Sequence, residues 1–287
     1  MKSSAMYTVI FRIHSRNENS LSDKLFSLGA QSLSTARESD GTIVITAIFD
    51  AIDNLSGHFP PGSMEIHELV DSKWKYTWLE HYHGSVINDE ISVEPFAGSD
   101  TVSETASTRP YRILLDPRDA FGDGRHPTTV LCLKKIHAFL SPLSRDRKNS
   151  LHFLDVGTGT GILAILACLM GAGHIDAFDI ETDAVTKTRS NCSLNECAGI
   201  NVFQADISLH GGEQRYDLIT ANLLTGIIKP NLPALHGMLL PHGTLILSGI
   251  SHIWHDEMVL CFTNNGLRVE DMETLEGWNC YVLRISP

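Results

Sequence analysis

The sequence predicts a doubly wound α/β domain, with a mostly parallel sheet ending in an antiparallel hairpin, preceded by a small α+β unit. Three observations carry this. From about residue 110, β-branched apolar runs alternate with runs of helical periodicity, the pattern of a parallel sheet covered by helices. A glycine-rich turn, LDVGTGTGILAI, falls where one such strand passes into a helix. The last two strand-like runs, LRVEDMETL and NCYVLRI, are joined by a short link holding Gly277, which fits a hairpin at a sheet edge.

In chain order, MYTVIFRI (6–13) and GTIVITAIFD (41–50) read as strands because they are rich in β-branched and aromatic residues. Between them Leu21, Leu25 and Leu28 recur at helical spacing, with Ser20 as N-cap and Gly29 as stop. The three segments make a small β-α-β unit, and FPPG at 59–62 breaks the chain after it. We therefore expect a first domain over 1–60. A linker over 61–109 follows, holding a Trp/Tyr-rich segment and the polar loop AGSDTVSETASTRP. The α/β domain then spans 110–287. Its strands are YRILLD, LHFLDVG, HIDAFDI, NVFQADI, YDLITANLL and TLILSGI before the final pair. Its helices are VLCLKKIHAFL, GILAILACLMGA, TDAVTKTRSNCSLN and WHDEMVLCFTNNG. There is no internal repeat.

Composition narrows the function classes. A chain of 287 residues, 43% hydrophobic and 20% charged, is long enough to bury one large core or two smaller ones. A formal net charge of −12 argues against a general nucleic-acid binder and suits a basic partner. The 6 cysteines include no CxxC pair, so free thiols in a reducing compartment are expected rather than disulfides or a zinc site. Arg12 and His14 interrupt the apolar N-terminal run, unlike a signal peptide. The most apolar run, GILAILACLMGAG, has 13 residues and is too short to span a bilayer. A cytoplasmic protein without membrane or nucleic-acid partners is expected, and a monomer.

The glycine-rich turn carries the first functional signal. Gly157, Gly159 and Gly161 let the backbone turn tightly and approach a ligand without a Cβ in the way. The spacing is G-x-G-x-G rather than the G-x-G-x-x-G of dinucleotide folds. Asp155, just before the turn, is placed to order it. Asp179 follows Gly157 by 22 positions and ends the next strand, where an acid accepts bonds from both ribose hydroxyls of an adenosine. Asp206, ending the third strand, suits either an adenine amino group or a solvated turn. Nucleotide-type binding is the expectation.

The strand FLDVGTGTG, the acidic AFDI, YDLITANLL and PHGTLILSGI, in that order, resemble class I S-adenosylmethionine-dependent methyltransferases. More narrowly, LDPRDAFGDGRHPTTVLCL resembles the L-D-P-G-x-A-F-G-T-G-x-H-P-T-T signature of PrmA-type ribosomal protein methyltransferases. Asn222-Leu223-Leu224 and LSGI at 247–250 also fit that family, and WKYTWLEHY and the N-terminal unit fit more loosely. The resemblance implies a Rossmann-like catalytic domain behind a ferredoxin-like substrate-recognition domain. It implies S-adenosylmethionine as cofactor. The implied substrate is a basic partner, large-subunit ribosomal protein eleven, methylated on lysine ε-amines or its N-terminal α-amine. By motif, Thr129, Gly157, Asp179 and Asn222 carry over as cofactor-binding positions. Arg118 and Asp123 depart from the signature's Gly and Thr, and Arg125 fills a variable position; Asp123 and Arg125 add charge beside the pocket.

On this basis the expected cofactor-binding residues are Phe121, Thr129, Gly157, Gly159, Asp179, Asp206 and Asn222, and Asn222 and Leu223 would position the substrate amine. The segment DAFGDGRHPTT would be a lid, with Gly122 and Gly124 as hinges and Phe121 as its cover. No metal is expected: Asp116, Asp119, Asp123 and His126 lack a dedicated ligand spacing, and HYH (81–83) and HIWH (252–255) lack Cys partners or an HExxH frame. Trp74 and Trp78 read as core anchors. Three alternatives stand beside this one. The same fold would act on another protein lysine or a small-molecule amine, serve as a non-catalytic cofactor-binding scaffold, or be a nicotinamide dehydrogenase. The glycine spacing disfavours the last.

Overall fold

The computed structural model describes residues 6–14, 21–22, 24–25, 28–30, 32–37, 40–49, 52, 55, 57–60, 62–69, 84–96, 108–116, 124–208 and 214–286. The chain divides into two compact units, Met1–His81 and Tyr82–Pro287.

In the first unit β1 (Met6–His14), β2 (Ser32–Arg37), β3 (Thr42–Phe49) and β4 (Glu65–Leu69) form an antiparallel sheet of order β2-β3-β1-β4. Read from its other edge the order is 4-1-3-2, that of ferredoxin-like α+β units. The period of two along each strand builds its core. Val9 and Phe11 of β1 face Ala47 and Ile45 of β3 across the ladder, all buried with Ile43, Phe49, Leu25 and Leu55. Arg12, beside buried Phe11 and partly buried Ile13, points out and pairs with Glu65 of β4. Residues 21–22 and 24–25 are helical, so Leu25 of the predicted helix reaches the core; Ser20 lies outside the described residues.

The domain boundary drawn at residue 60 does not match these units. Strand β4 completes the first sheet, while β5 (Ser85–Val86) and β6 (Ile91–Pro95) join β7 (Tyr111–Leu115) in a three-stranded sheet of the second unit. Segment 61–109 is thus no simple linker. Strand β4, EIHEL, carries the charge typical of a sheet edge, and this hides its periodicity from a search for apolar alternation.

The second unit is built on a seven-stranded sheet of order β10-β9-β8-β11-β12-β14-β13. Its strands are β8 (His152–Val156), β9 (His174–Asp179), β10 (Ile200–Gln204), β11 (Tyr216–Asn222), β12 (Leu239–Ser251), β13 (Leu267–Leu275) and β14 (Trp278–Ile285). Strands β8 to β12 run parallel, and β14 is antiparallel to both β12 and β13. The helices are α1 (Pro127–Leu140), α2 (Arg145–Asn149), α3 (Ile162–Leu169), α4 (Thr182–Leu194), α5 (Thr225–Gly237) and α6 (His255–Asn264). Central strand β8 carries buried apolar residues on both faces because both are covered. Phe153 joins α1 and α3 in one core, and Leu154 and Val156 join α5 and α6 in the other. Helix α3 is buried from Ile162 to Ala167, the mark of a helix enclosed on all sides. Among the described residues no helix is long and apolar enough to cross a membrane.

The chain leaves β8 toward β9 on one side, and β11 pairs on the other. This reversal of strand order opens a crevice at the carboxyl ends of β8 and β11, the usual ligand position in open α/β sheets. Helix α5 was not anticipated, because Pro230 and Pro233 lie inside it and each removes a backbone donor. Burial of Ile228, Leu232 and Leu235 outweighs that loss. The predicted terminal hairpin is present, turned by Glu276 and Gly277, both at positive φ (49° and 82°), the two-residue turn whose twist matches paired strands.

Exposed Glu196, just past α4, also sits at positive φ (57°). A left-handed backbone costs a side-chain-bearing residue about 1–2 kcal/mol, and a new glycine gives back about 0.4–1 kcal/mol through the unfolded chain. Glu196→Gly is therefore expected to raise stability by about 0.5–1 kcal/mol, measured as a higher denaturant midpoint at unchanged slope.

Candidate active site

The turn between β8 and α3 is held by its own backbone. Gly157 and Thr158 donate to the Phe178 carbonyl at 2.9 and 3.0 Å, and Gly159 donates to Asp179 Oδ2 at 3.0 Å. Asp179 Oδ1 accepts from Glu181 N at 3.1 Å. Each carboxylate oxygen has two acceptor positions, so among the described residues these bonds leave one on each. Gly157 is required at its place: φ is +70°, and a Cβ there would overlap the Leu223 side chain.

Asp155 is 1% exposed, the deepest charge of the site. Thr220 of β11 and Thr158 of the turn each donate a hydroxyl to it at 2.8 Å. One carboxylate thus joins the two strands that flank the crevice and the loop between β8 and α3. Burial pushes its carboxyl up to about 6, against the pull of these hydroxyl bonds, and the nearby charge of Asp179 adds to the rise.

At the carboxyl end of β11, Asn222 donates from Nδ2 to Thr129 Oγ1 at 3.3 Å. Thr129 is buried in the first turn of α1, where Pro127 occupies a position needing no donor. Leu223 N donates to the Ser248 carbonyl at 3.1 Å. The pairing of β12 with β14 slips between Leu247 and Ile250, and at this irregularity Gly249 (φ +83°) lies against the Leu223 backbone so closely that any side chain would overlap its carbonyl. The LSGI motif is the seat of the Asn-Leu-Leu motif.

Of the residues expected from sequence, Thr129, Gly157, Asn222 and Leu223 meet at the crevice, with Gly159 on the turn bonded to Asp179 at the end of β9. Asp206 lies two residues beyond β10, not at its end, and its Oδ1 accepts from the amide and hydroxyl of Ser208, both at 2.8 Å, which hold its carboxyl below the usual range. Phe121, Gly122, Arg118, Asp119 and Asp123, with Trp74, Trp78 and His81–His83, lie outside the described residues. Gly124 of the expected lid has φ +84°. Its carbonyl accepts from Ser85 Oγ at 3.0 Å, and a Cβ would come within 2.9 Å of Val93 Cγ2, so this glycine is the anchored end of that segment rather than a free hinge. Sequence reasoning missed the part of His126. It is the N-cap of α1, accepting from Thr128 N at 3.4 Å, and it meets the Trp278 ring edge-on at 5.2 Å. A capping side chain directly before a proline and two threonines was the available signal. His252 and His255 are used in packing, toward the Gly277 carbonyl and Tyr281 OH.

Strand order, glycine turn, the acid that ends β9 and the terminal hairpin together define the class I methyltransferase fold. The crystal structure of a ribosomal protein L11 methylase from Lactobacillus delbrueckii subsp. bulgaricus superposes with a TM-score of 0.63 at 27% identity, covering 72% of this chain and 100% of that one. The family model described as ribosomal protein L11 methyltransferase (PrmA) matches residues 35–285, and the chain belongs to that family. Relatives of that name are 32% identical in Geobacillus kaustophilus, over 74% of this chain and 65% of the relative, and 34% identical in Lactobacillus johnsonii, over 84% and 74%. The chain thus spans 65% of the length of the Geobacillus kaustophilus relative.

Asp155 makes a pH prediction. Its folded-state value lies above the ~3.9 of an unfolded aspartate, so the folded chain holds the proton more tightly. The resulting stabilisation is complete below about pH 4 and is lost as pH rises through about 6. Asp155→Asn has no such titration. The unfolding free energy of the wild type minus that of Asp155→Asn is expected to fall by about 2–3 kcal/mol between pH 4 and pH 7, read from urea titrations at both pH values.

Proposed function

We propose that the chain transfers methyl groups from S-adenosylmethionine to amino groups, lysine ε-amines or the N-terminal α-amine, of large-subunit ribosomal protein L11. The observation that carries this reading is the Asn222–Thr129 hydrogen bond, which brings the signature helix against the Asn-Leu-Leu motif at the mouth of the crevice. Family membership and the acidic charge of the chain support it further.

The residues suit the cofactor. Asp179 keeps acceptor positions for a ribose diol, and the glycine turn offers backbone free of side chains. Thr129 offers a hydroxyl to the methionine end, Asp206 an acceptor to the adenine amino group, and Phe121 a cover. When bound, S-adenosylmethionine supplies a methyl group activated by a sulfonium. The chain's own task concerns the amine. A lysine amine has a pKa near about 10.4, so at neutral pH its lone pair is mostly blocked by a proton. Asn222, with Nδ2 bonded to Thr129, keeps Oδ1 as a neutral acceptor that favours the uncharged amine without stabilising the ammonium as a carboxylate would. Leu223, seated on Gly249, fixes the loop that carries this acceptor. Alignment of this kind contributes roughly 7–11 kcal/mol to a displacement, and no strong base is needed. The ferredoxin-like unit recognises the protein substrate.

Two outcomes test this. Incubating the chain with labelled S-adenosylmethionine and intact ribosomal protein L11, then mapping label by mass spectrometry, is expected to place it on amino groups; label only on other proteins or on small amines would refute the substrate. The fragment Tyr82–Pro287 is expected to bind cofactor and leave the ribosomal protein unmodified. For the cofactor, Asp179→Ala is expected to weaken binding by about 1.5–3 kcal/mol, the worth of hydrogen bonds to a charged acceptor. Calorimetry on the folded variant measures it, and unchanged affinity would remove Asp179 from the site.

A further inference from the structure

Helix α4 carries a row of polar side chains that the proposed chemistry does not use. Thr188 and Asn191, and Asn195 at the helix C-cap, follow one another at intervals of three and four, which places them along one side of the helix. Thr188 and Asn191 are 0% exposed, a costly position for polar groups unless every one is bonded.

Their partners come from two segments far apart in the chain. Thr188 Oγ1 donates to the Gly159 carbonyl at 3.0 Å, and Asn191 Nδ2 donates to the Thr160 carbonyl at 2.8 Å, both in the glycine turn. The other end of the same amide, Asn191 Oδ1, accepts from Asp116 N at 3.0 Å. Asn195 works on the same segment: Oδ1 accepts from Leu114 N at 2.8 Å and Nδ2 donates to the Leu114 carbonyl at 2.6 Å. Strand β7 lies at the edge of its sheet, with β6 on one side. Asn195 therefore satisfies its open edge as a neighbouring strand would, donating to and accepting from one residue. Asp116 is the residue from which the chain enters the signature segment leading to Thr129.

We propose that Asn191 is a positioning residue whose side-chain amide couples the cofactor turn to the start of the signature segment, so that cofactor occupancy at Gly157–Gly161 is felt at residues 111–116. The inference rests on the reading of the glycine turn as the cofactor site. Asn195 and Thr188 brace the same joint from either side, but only Asn191 bonds both segments with one rigid group. An amide is suited to this because it donates and accepts across a planar unit with no charge to desolvate. Asp in its place accepts from Asp116 N yet cannot donate to Thr160.

The test is amide hydrogen exchange on the full chain, with and without S-adenosylhomocysteine, for the wild type, Asn191→Ala and the near-isosteric Asn191→Asp, each checked for cooperative thermal unfolding. In the wild type the ligand is expected to slow exchange at both 157–161 and 111–116. In the folded variants slowing persists at 157–161 and disappears at 111–116. Turnover at saturating cofactor is expected to drop at least tenfold, while the KM for S-adenosylmethionine changes less than threefold. Ligand protection of 111–116 that survives in a folded variant overturns the coupling, as does a fall in turnover matched by an equal rise in KM. Absence of protection at 157–161 in the wild type would instead overturn the cofactor site itself, and the coupling with it.

Discussion

A carboxylate cut off from water, Asp155, holds together the place where the sheet changes direction. It sits on β8, takes one hydroxyl from β11 and another from the turn into α3, and has no solvent to share the burden of its charge. Desolvation of such a group is unfavourable unless its acceptor positions are filled, so the two threonines are fixed in rotamer and position by it. The crevice between β8 and β11 is consequently not a gap left by packing. Its walls are joined at the base by a polar bond that an apolar residue of similar volume would not supply.

Above this base, backbone contacts set the shape. Gly157 lies against the Leu223 side chain and Gly249 against the Leu223 backbone, so one leucine is pressed between a glycine of the turn after β8 and a glycine of β12. Both glycines have positive φ, a conformation that other residues adopt at a cost and that here also excludes a Cβ. The Asn222 amide thereby stands on a support with little freedom, and its reach to Thr129 follows from where Leu223 is held. Precision at the crevice arises from close approach of main chain to main chain more than from any single polar contact.

Much of this was legible before any coordinates. The G-x-G-x-G turn, the acid ending the next strand and the alternation of strands with helices each depend on local pattern, and local pattern survives in sequence. What escaped was of a different kind. Helix α5 was hidden by Pro230 and Pro233, whose local penalty is outweighed only by burial that the neighbouring strands provide. Strand β4 was hidden because a sheet edge tolerates the charges of EIHEL. Asn191 and Asn195 were read only as part of a helical run, since their partners lie 75 and 81 positions away and leave no periodic trace near them. His126 was set aside as a metal candidate when its place, immediately before proline, marked a helix cap.

The hairpin that ends the sheet has an effect on how the fold is reached during synthesis. Strand β14 does not lie outermost; it is inserted between β12 and β13, pairing with both. Until residues 278–285 leave the ribosome, β12 presents a bare edge whose buried faces are already hydrophobic, and β13 has no strand to pair with. The nascent domain therefore spends the whole translation of its last forty or so residues, about 2–8 s at ordinary elongation rates, with an incomplete sheet. Closure then comes late, when the β13–β14 hairpin folds and lays β14 against β12, and a chain stopped short of Trp278 would carry the open edge permanently.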